Sequence, residues 1–143
     1  MQGFLKYREE LRNAGIATGF QWIDGSFVEN VEVNKGRPPN DVDIVTFADR
    51  PASLKDPHNW RQFVVGRPDL FSPGVSKSTY MCDAYFVDLG LPSVHLVTYT
   101  RFWFGLFSHQ RDTFLWKGLV EIPLVDDDVS AKDFLTKAAT HAP

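Results

Sequence analysis

Asp41-Val42-Asp43-Ile44-Val45-Thr46-Phe47 is the stretch whose reading decides the fold. Val42, Ile44, Val45 and Phe47 are β-branched or aromatic strand formers. Successive side chains of a strand point to opposite faces, so Asp41 and Asp43 share one face. Their Cα atoms would lie roughly 6–7 Å apart at a rise of about 3.3 Å per residue. Two carboxylates on one face of an apolar strand repel each other and resist desolvation. A cation relieves both problems, and Mg²⁺ favours a few carboxylates combined with phosphate oxygens and water.

Upstream, Phe20-Gln21-Trp22-Ile23 reads as a short strand, Asp24-Gly25-Ser26 as a tight turn, and Phe27-Val28-Glu29 as the opening of a helix. Glycine lets a backbone approach a ligand closely, serine offers a hydroxyl, and free N–H groups at a helix start attract phosphate. Alone, Gly25-Ser26 would be an ordinary turn; beside Asp41-x-Asp43, a phosphate cradle is the stronger reading. Asn30 to Asn40 is a polar loop with Gly36 and Pro38-Pro39. Its Lys35 and Arg37 are either solvated charges or contacts to a triphosphate or acceptor.

Downstream, Thr79 to Asp88 reads as a third strand. Asp83, between Cys82 and Ala84, is a charge inside an apolar strand and needs a partner. A salt bridge, an exposed structural role and a metal are all open to it. Asp88 reads as a turn residue before Gly90-Leu91-Pro92.

The arrangement of Asp24-Gly25-Ser26, a spacer, and Asp41-Val42-Asp43-Ile44 resembles the nucleotidyltransferase superfamily, the DNA polymerase beta-like fold. The signature of that superfamily is hydrophobic-Gly-(Gly/Ser), then Asp-hydrophobic-(Asp/Glu)-hydrophobic. Asp24 stands where the pattern has an apolar residue, and the spacer Phe27 to Asn40 is slightly longer than the norm. The resemblance implies a Mg²⁺- or Mn²⁺-dependent transfer of a nucleoside monophosphate from an NTP, ATP among the candidates, to an acceptor. It implies Asp41 and Asp43 as catalytic metal ligands, Asp83 as the third carboxylate, and Gly25 and Ser26 as nucleotide contacts. Lys117 is a further candidate contact to phosphate. Small members of the superfamily resemble antitoxin or phage-defence components, which implies a partner protein as acceptor. The alternative is a silent module of the same fold that acts through a protein partner or as a homo-oligomer.

The remaining chain fits an α/β (α+β) domain over residues 1–143: a minimal nucleotidyltransferase core, a small mixed β-sheet with flanking helices. Phe4, Tyr7 and Leu11 fall at helical spacing, with Lys6, Arg8, Glu9, Glu10 and Arg12 on the other face and Gly15 as a stop. Leu54 to Val65 reads as a helix started by Asp56-Pro57, with Trp60, Phe63 and Val64 inward; Gly66 to Gly74 reads as a loop. Ser93 to Phe107 reads as an aromatic helix packed under the sheet, and Phe114 to Leu124 as the last strand, with Lys117 on it. Asp126-Asp127-Asp128 reads as solvated acid before a helix capped by Ser130-Ala131-Lys132-Asp133. His58 reads as structural or exposed, and His95 and His109 lack companions at zinc spacing.

Aromatic residues are 14% of the chain, twelve of them Phe, which predicts a dense core or an apolar surface awaiting a partner. A net charge of −3 without a basic block argues against nucleic acid as a standing partner. One cysteine, Cys82, allows no internal disulfide and fits a reducing, cytoplasmic compartment. The N-terminus turns charged at Lys6, which predicts no signal peptide, and no apolar run approaches the length of a membrane span.

Overall fold

The computed structural model describes residues 1–111 and 113–140, the side chains of residues 34 and 139 excepted. These residues form a mixed α/β fold around a four-stranded sheet. The elements run α1 (Gln2–Asn13), β1 (Gly19–Asp24), a 3-10 turn (Gly25–Val28), α2 (Val31–Lys35), β2 (Val42–Ala48), a second 3-10 turn (Ala52–Leu54), α3 (Pro57–Gly66), α4 (Pro68–Phe71), α5 (Pro73–Tyr80), β3 (Cys82–Asp88), α6 (Ser93–Phe107), β4 (Val120–Pro123) and α7 (Val129–Thr140). The strand order is β3-β2-β1-β4. β1 runs antiparallel to both β2 and β4, whereas β2 and β3 are parallel. Parallel neighbours need a crossover, which the α3–α5 segment supplies.

The period-two alternation of each strand divides the core in two. Val42, Ile44 and Ala48 of β2, Ile23 of β1 and Cys82 and Ala84 of β3 join Phe4, Tyr7 and Leu11 of α1, Leu70 of α4 and Tyr80 of α5. On the other face Val45 and Phe47 of β2 and Val87 of β3 meet Trp103 and Phe107 of α6. By the same alternation Asp43 and Asp83 belong to the α6 face. Asp24 belongs there too, because it pairs directly with Asp43.

Several elements differ from the sequence-based expectation. The loop expected over Gly66 to Gly74 contains α4 and the start of α5, each opened by a proline at the first helical position. There a missing N–H costs nothing. Helix α5 continues to Tyr80, so β3 starts at Cys82 rather than Thr79, after Met81 turns the chain at φ 57°. The loop expected over Asn30 to Asn40 begins with α2, ended by Gly36 in the left-handed region. The last strand is only Val120–Pro123, an edge strand, and Lys117 lies before it.

Arg8, placed on the polar face of α1 by its spacing, is fully buried. It donates to Asp128 Oδ2 at 2.8 Å, to Gln21 Oε1 at 2.8 Å and to the Pro123 carbonyl at 2.8 Å. Asp128 is therefore not solvated acid: Arg8 and Arg12 both pair with it. Burial works to raise its carboxyl, yet the two guanidinium groups hold it below the usual range. Helix α7 starts one residue before Ser130, which removes the expected capping box; instead Asp127 accepts from the Val129 N–H at 3.0 Å. The expected cap of α3 is present, with Asp56 accepting from the N–H groups of His58 and Asn59. Asp88 closes β3 by accepting from the Gly90 N–H at 2.8 Å and pairing with Arg50.

Helix α6 has the expected bounds, but only a narrow edge of it packs on the sheet. Trp103 and Phe107 are buried, whereas Val94, Val97, Tyr99, Phe102, Phe104 and Leu106 are exposed. Phe114, Leu115 and Trp116 are exposed beyond it. The aromatic excess is thus divided between the core and the exposed side chains of α6 and residues 114–116. No helix of the described residues is long and apolar enough to cross a membrane.

Candidate functional site: a carboxylate row in a cleft

Strand register brings the acidic residues together. Asp24 of β1 lies opposite Asp43 of β2, and Asp43 lies beside Asp83 of β3. Directly opposed side chains on neighbouring strands come within interaction distance. The three carboxylates therefore form a row across the end of the sheet, with Asp41 one turn of the pleat before Asp43. An open cleft of about 530 Å³ contains Asp24, Asp41, Asp43 and Asp83, along with Gly25, Ser26, Glu29, Lys35, Arg37, Lys77, His109, Arg111 and Lys117. The acids come chiefly from the sheet. The cations come from elements around it: Lys35 from α2, Arg37 from the following loop, Lys77 from α5, and Arg111 and Lys117 from the segment after α6.

Crowding shows in the ionisation of Asp43. Its carboxyl is pushed up to about 6, first by burial and then by the negative charges of Asp41 and Asp83; Arg111 offsets part of this. Burial also raises the Asp24 carboxyl, against the pull of the Gly25 N–H and the Lys117 ammonium. The Asp24 Oδ1 atom is buried without a hydrogen-bond partner. Asp41 is held differently: Lys77 Nζ lies 2.5 Å from its Oδ2.

Gly25 is required by the row itself. Its φ of +77° is left-handed, and a Cβ there would lie 1.9 Å from Asp43 Oδ2. Only glycine lets the turn close this tightly over the carboxylate. Ser26 follows in the 3-10 turn and also lines the cleft. Lys117 is engaged on both sides, with Nζ 3.1 Å from Asp24 and 2.8 Å from Glu29, and its side chain is 10% exposed. It ties the segment after α6 to the Gly25–Glu29 turn.

Sequence reasoning missed Lys77 and Arg111. The sequence assigns the two ends of α5 to a loop and a strand and leaves Lys77 between them without an element. Arg111 sits in a hairpin-like segment after α6, closed by a bridge between His109 and Trp116 and by the Lys117 N–H donating to the Ser108 carbonyl at 2.8 Å. The ring pair His109–Trp116, with centroids 4.1 Å apart, shapes this segment. A single His and a single Trp seven residues apart announce nothing at sequence level.

The donor set fits a hard divalent cation: carboxylate oxygens on one face and a charge repulsion that raises Asp43. Among the described residues no group of three or more His, Cys, Asp or Glu side chains is gathered closely enough to hold a metal ion as it stands.

A family model matches residues 1–123, described as "Family of unknown function (DUF6932)". The chain belongs to that family. The match covers the row, the Gly25-Ser26 turn, Lys77, Arg111 and Lys117, and ends at the last residue of β4. No curated protein and no solved structure matches the chain.

Proposed function

We propose that the protein is a Mg²⁺- or Mn²⁺-dependent nucleotidyltransferase that moves a nucleoside monophosphate from an NTP to an acceptor hydroxyl. The observation that carries this reading is the juxtaposition of Asp41, Asp43 and Asp83 in one cleft beside the Gly25-Ser26 turn. The resemblance of these residues to the nucleotidyltransferase pattern supplies the reaction class.

In this reading Asp41, Asp43 and Asp83 offer oxygen ligands. A bound divalent cation would supply Lewis-acid polarisation at phosphorus and a lowered pKa for the attacking hydroxyl. The acceptor oxygen forms a bond to the α-phosphorus, the bond to the β-phosphate oxygen breaks, and pyrophosphate leaves; the hydroxyl proton passes to solvent. Gly25 and Ser26 stand beside the carboxylates, where backbone and hydroxyl can meet phosphate. Arg111 and Arg37 line the same cleft and would balance negative charge on the leaving pyrophosphate. Lys117, occupied by Asp24 and Glu29, positions the turn rather than contacting the nucleotide first. The acceptor is left open by the residues; the resemblance implies a partner protein in the setting of a toxin–antitoxin or phage-defence pair, and the proposed compartment is cytoplasmic.

A second reading, a silent module of this fold acting through a protein partner or a second copy, is favoured by one observation. The exposed apolar run of α6 and Phe114-Leu115-Trp116 is larger than a scatter of single residues. Thermal shift with Mg·ATP, Mg·GTP, Mg·CTP and Mg·UTP tests the first reading. Binding should stabilise the protein by about 2.7 kcal/mol at a hundred times the dissociation constant. Pyrophosphate release with the partner protein present separates enzyme from module. If no nucleotide shifts the protein at millimolar concentration with either metal, the enzyme reading fails.

A further inference from the structure

Lys77 is a cation of the cleft seated directly on a carboxylate of the proposed metal set. It stands in the last turn of α5, and its Nζ lies 2.5 Å from Asp41 Oδ2. It also interacts electrostatically with Asp83 and Asp43. An ammonium and a divalent cation compete for one carboxylate, so a metal bound at Asp41 Oδ2 displaces Nζ.

The two halves of this residue are built for such a departure. The α5 backbone next to it is fixed: Ser76 is fully buried and its hydroxyl donates to the Cys82 carbonyl at 2.8 Å, tying the helix to the start of β3. The Lys77 side chain, in contrast, is 54% exposed, whereas that of Asp41 is 16% exposed. A lysine has a flexible four-carbon stem and three donors that can be re-aimed without moving the backbone. A half-exposed ion pair is weak enough to exchange.

Resting on the metal-dependent reading above, we propose that Lys77 is a displaceable counter-ion: it holds Asp41 while no metal is bound, yields the carboxylate to the metal, and re-pairs with the phosphates of the metal-bound nucleotide. Lys77 lines the same cleft as Ser26 and Arg111, so its freed ammonium remains within the space the phosphates would take. The device makes metal alone a poor ligand and metal with nucleotide a good one.

The opposite signs of these two effects provide the test. Mn²⁺ binding is titrated by the electron paramagnetic resonance of free Mn²⁺, for wild type, Lys77→Gln and Lys77→Arg, first alone and then with the non-hydrolysable α,β-methylene analogue of ATP. Lys77→Gln should bind Mn²⁺ alone about two- to five-fold more tightly, the scale of an exposed ion pair. It should bind the Mn²⁺-nucleotide complex roughly tenfold more weakly, the scale of a lost charge-assisted contact. Lys77→Arg should bind Mn²⁺ alone no more tightly than wild type. Far-UV circular dichroism checks that the exposed substitutions leave the fold intact. Equal or weaker Mn²⁺ binding by Lys77→Gln, with wild type still binding the metal, overturns the counter-ion and leaves the metal reading standing. Tighter Mn²⁺ binding with unchanged nucleotide affinity overturns the transfer to phosphate. Absence of Mn²⁺ binding in all three proteins, both alone and with the nucleotide analogue, overturns both readings.

Discussion

Strands β1 and β2 carry two polar rows only a few residues apart, and they are solved in opposite ways. On the α1 face Gln21 lies opposite Thr46, and both are buried. Gln21 donates to Thr46 Oγ1 at 2.9 Å, Arg8 donates to Gln21, and Asp128 closes the set by accepting from Arg8. On the α6 face Asp24 lies opposite Asp43, with Asp83 beyond. There like charges face each other, one buried oxygen has no partner, and Asp43 is pushed up to about 6. A buried polar network that is satisfied rigidifies a fold, whereas one left in conflict costs stability and persists where a ligand completes it. The contrast within one strand pair sets a satisfied structural network beside the row on which the proposed binding role rests.

The largest effect is expected on the satisfied row. Arg8→Met removes the group that pairs Asp128, Gln21 and the Pro123 carbonyl together. The change leaves Asp128 with Arg12 alone and Gln21 Oε1 without its donor, and should cost about 3 kcal/mol, the low end for breaking a buried pair. Urea unfolding followed by circular dichroism measures it. A loss below about 1 kcal/mol would show that water replaces the network and would erase the contrast.

Next comes Gly25→Val, which forces a side chain into the left-handed region and against the Asp43 carboxylate. The positive φ alone costs about 1–2 kcal/mol, and the clash adds to it. The variant should be destabilised by roughly 2–3 kcal/mol and should lose metal and nucleotide binding together, because the displaced group is Asp43 itself. Unaltered Mn²⁺ affinity in this variant would separate the turn from the row.

Asp43→Asn should act with the opposite sign. The folded carboxyl titrates near 6, above its ordinary value of 3.8, so between those values the folded state holds more protons than the unfolded one. Stability from this group is full below pH 4, falls as pH rises through 6, and is flat above. The ceiling of about 3 kcal/mol is lowered by solvent screening of a half-buried group to about 1–2 kcal/mol. Asp43→Asn should therefore melt equal to or above wild type at pH 7, lose the fall between pH 4 and 7, and lose catalysis. A marked loss of apo stability at pH 7 would identify Asp43 as a structural ion-pair partner instead.

Legibility in the sequence followed the range of the interactions. Period-two alternation in Asp41 to Phe47, the apolar periodicity of α1 and the aromatic, apolar content of α6 are local, and the strands and helices they predict are present. Asp83 could be placed on the face of Asp43 only through the parallel register of β2 and β3, which depends on a crossover of more than thirty residues. Arg8 was misread because its partner Asp128 is 120 residues away, and helical spacing reports only which face a residue is on, not what meets it. Lys77 and Arg111 failed for the same reason: a lone cation in a helix or hairpin gives no sign of the cleft it will line. Proline misled over Pro68 and Pro73, since the residue that breaks a helix also opens one.

Ser26→Ala is the smallest expected effect and the finest division of the two rows. Ser26 is half-buried in the 3-10 turn, and its backbone carbonyl accepts from the Glu29 N–H at 3.3 Å, a contact that alanine keeps. Removing the hydroxyl should leave the melting temperature of the ligand-free protein within about 0.5 kcal/mol of wild type. If the turn holds phosphate, the same change should cost one hydroxyl contact, on the order of 1–2 kcal/mol or roughly tenfold in Mg·NTP affinity. The thermal shift produced by a fixed concentration of nucleotide should then shrink by about the same free energy. The expected order is severe for Gly25, which shapes the row, and mild for Ser26, which adds one donor to it. Equal nucleotide affinity in Ser26→Ala and wild type would remove Ser26 from the binding set while leaving the requirement for glycine at position 25 in place, because that requirement comes from Asp43 and not from the nucleotide.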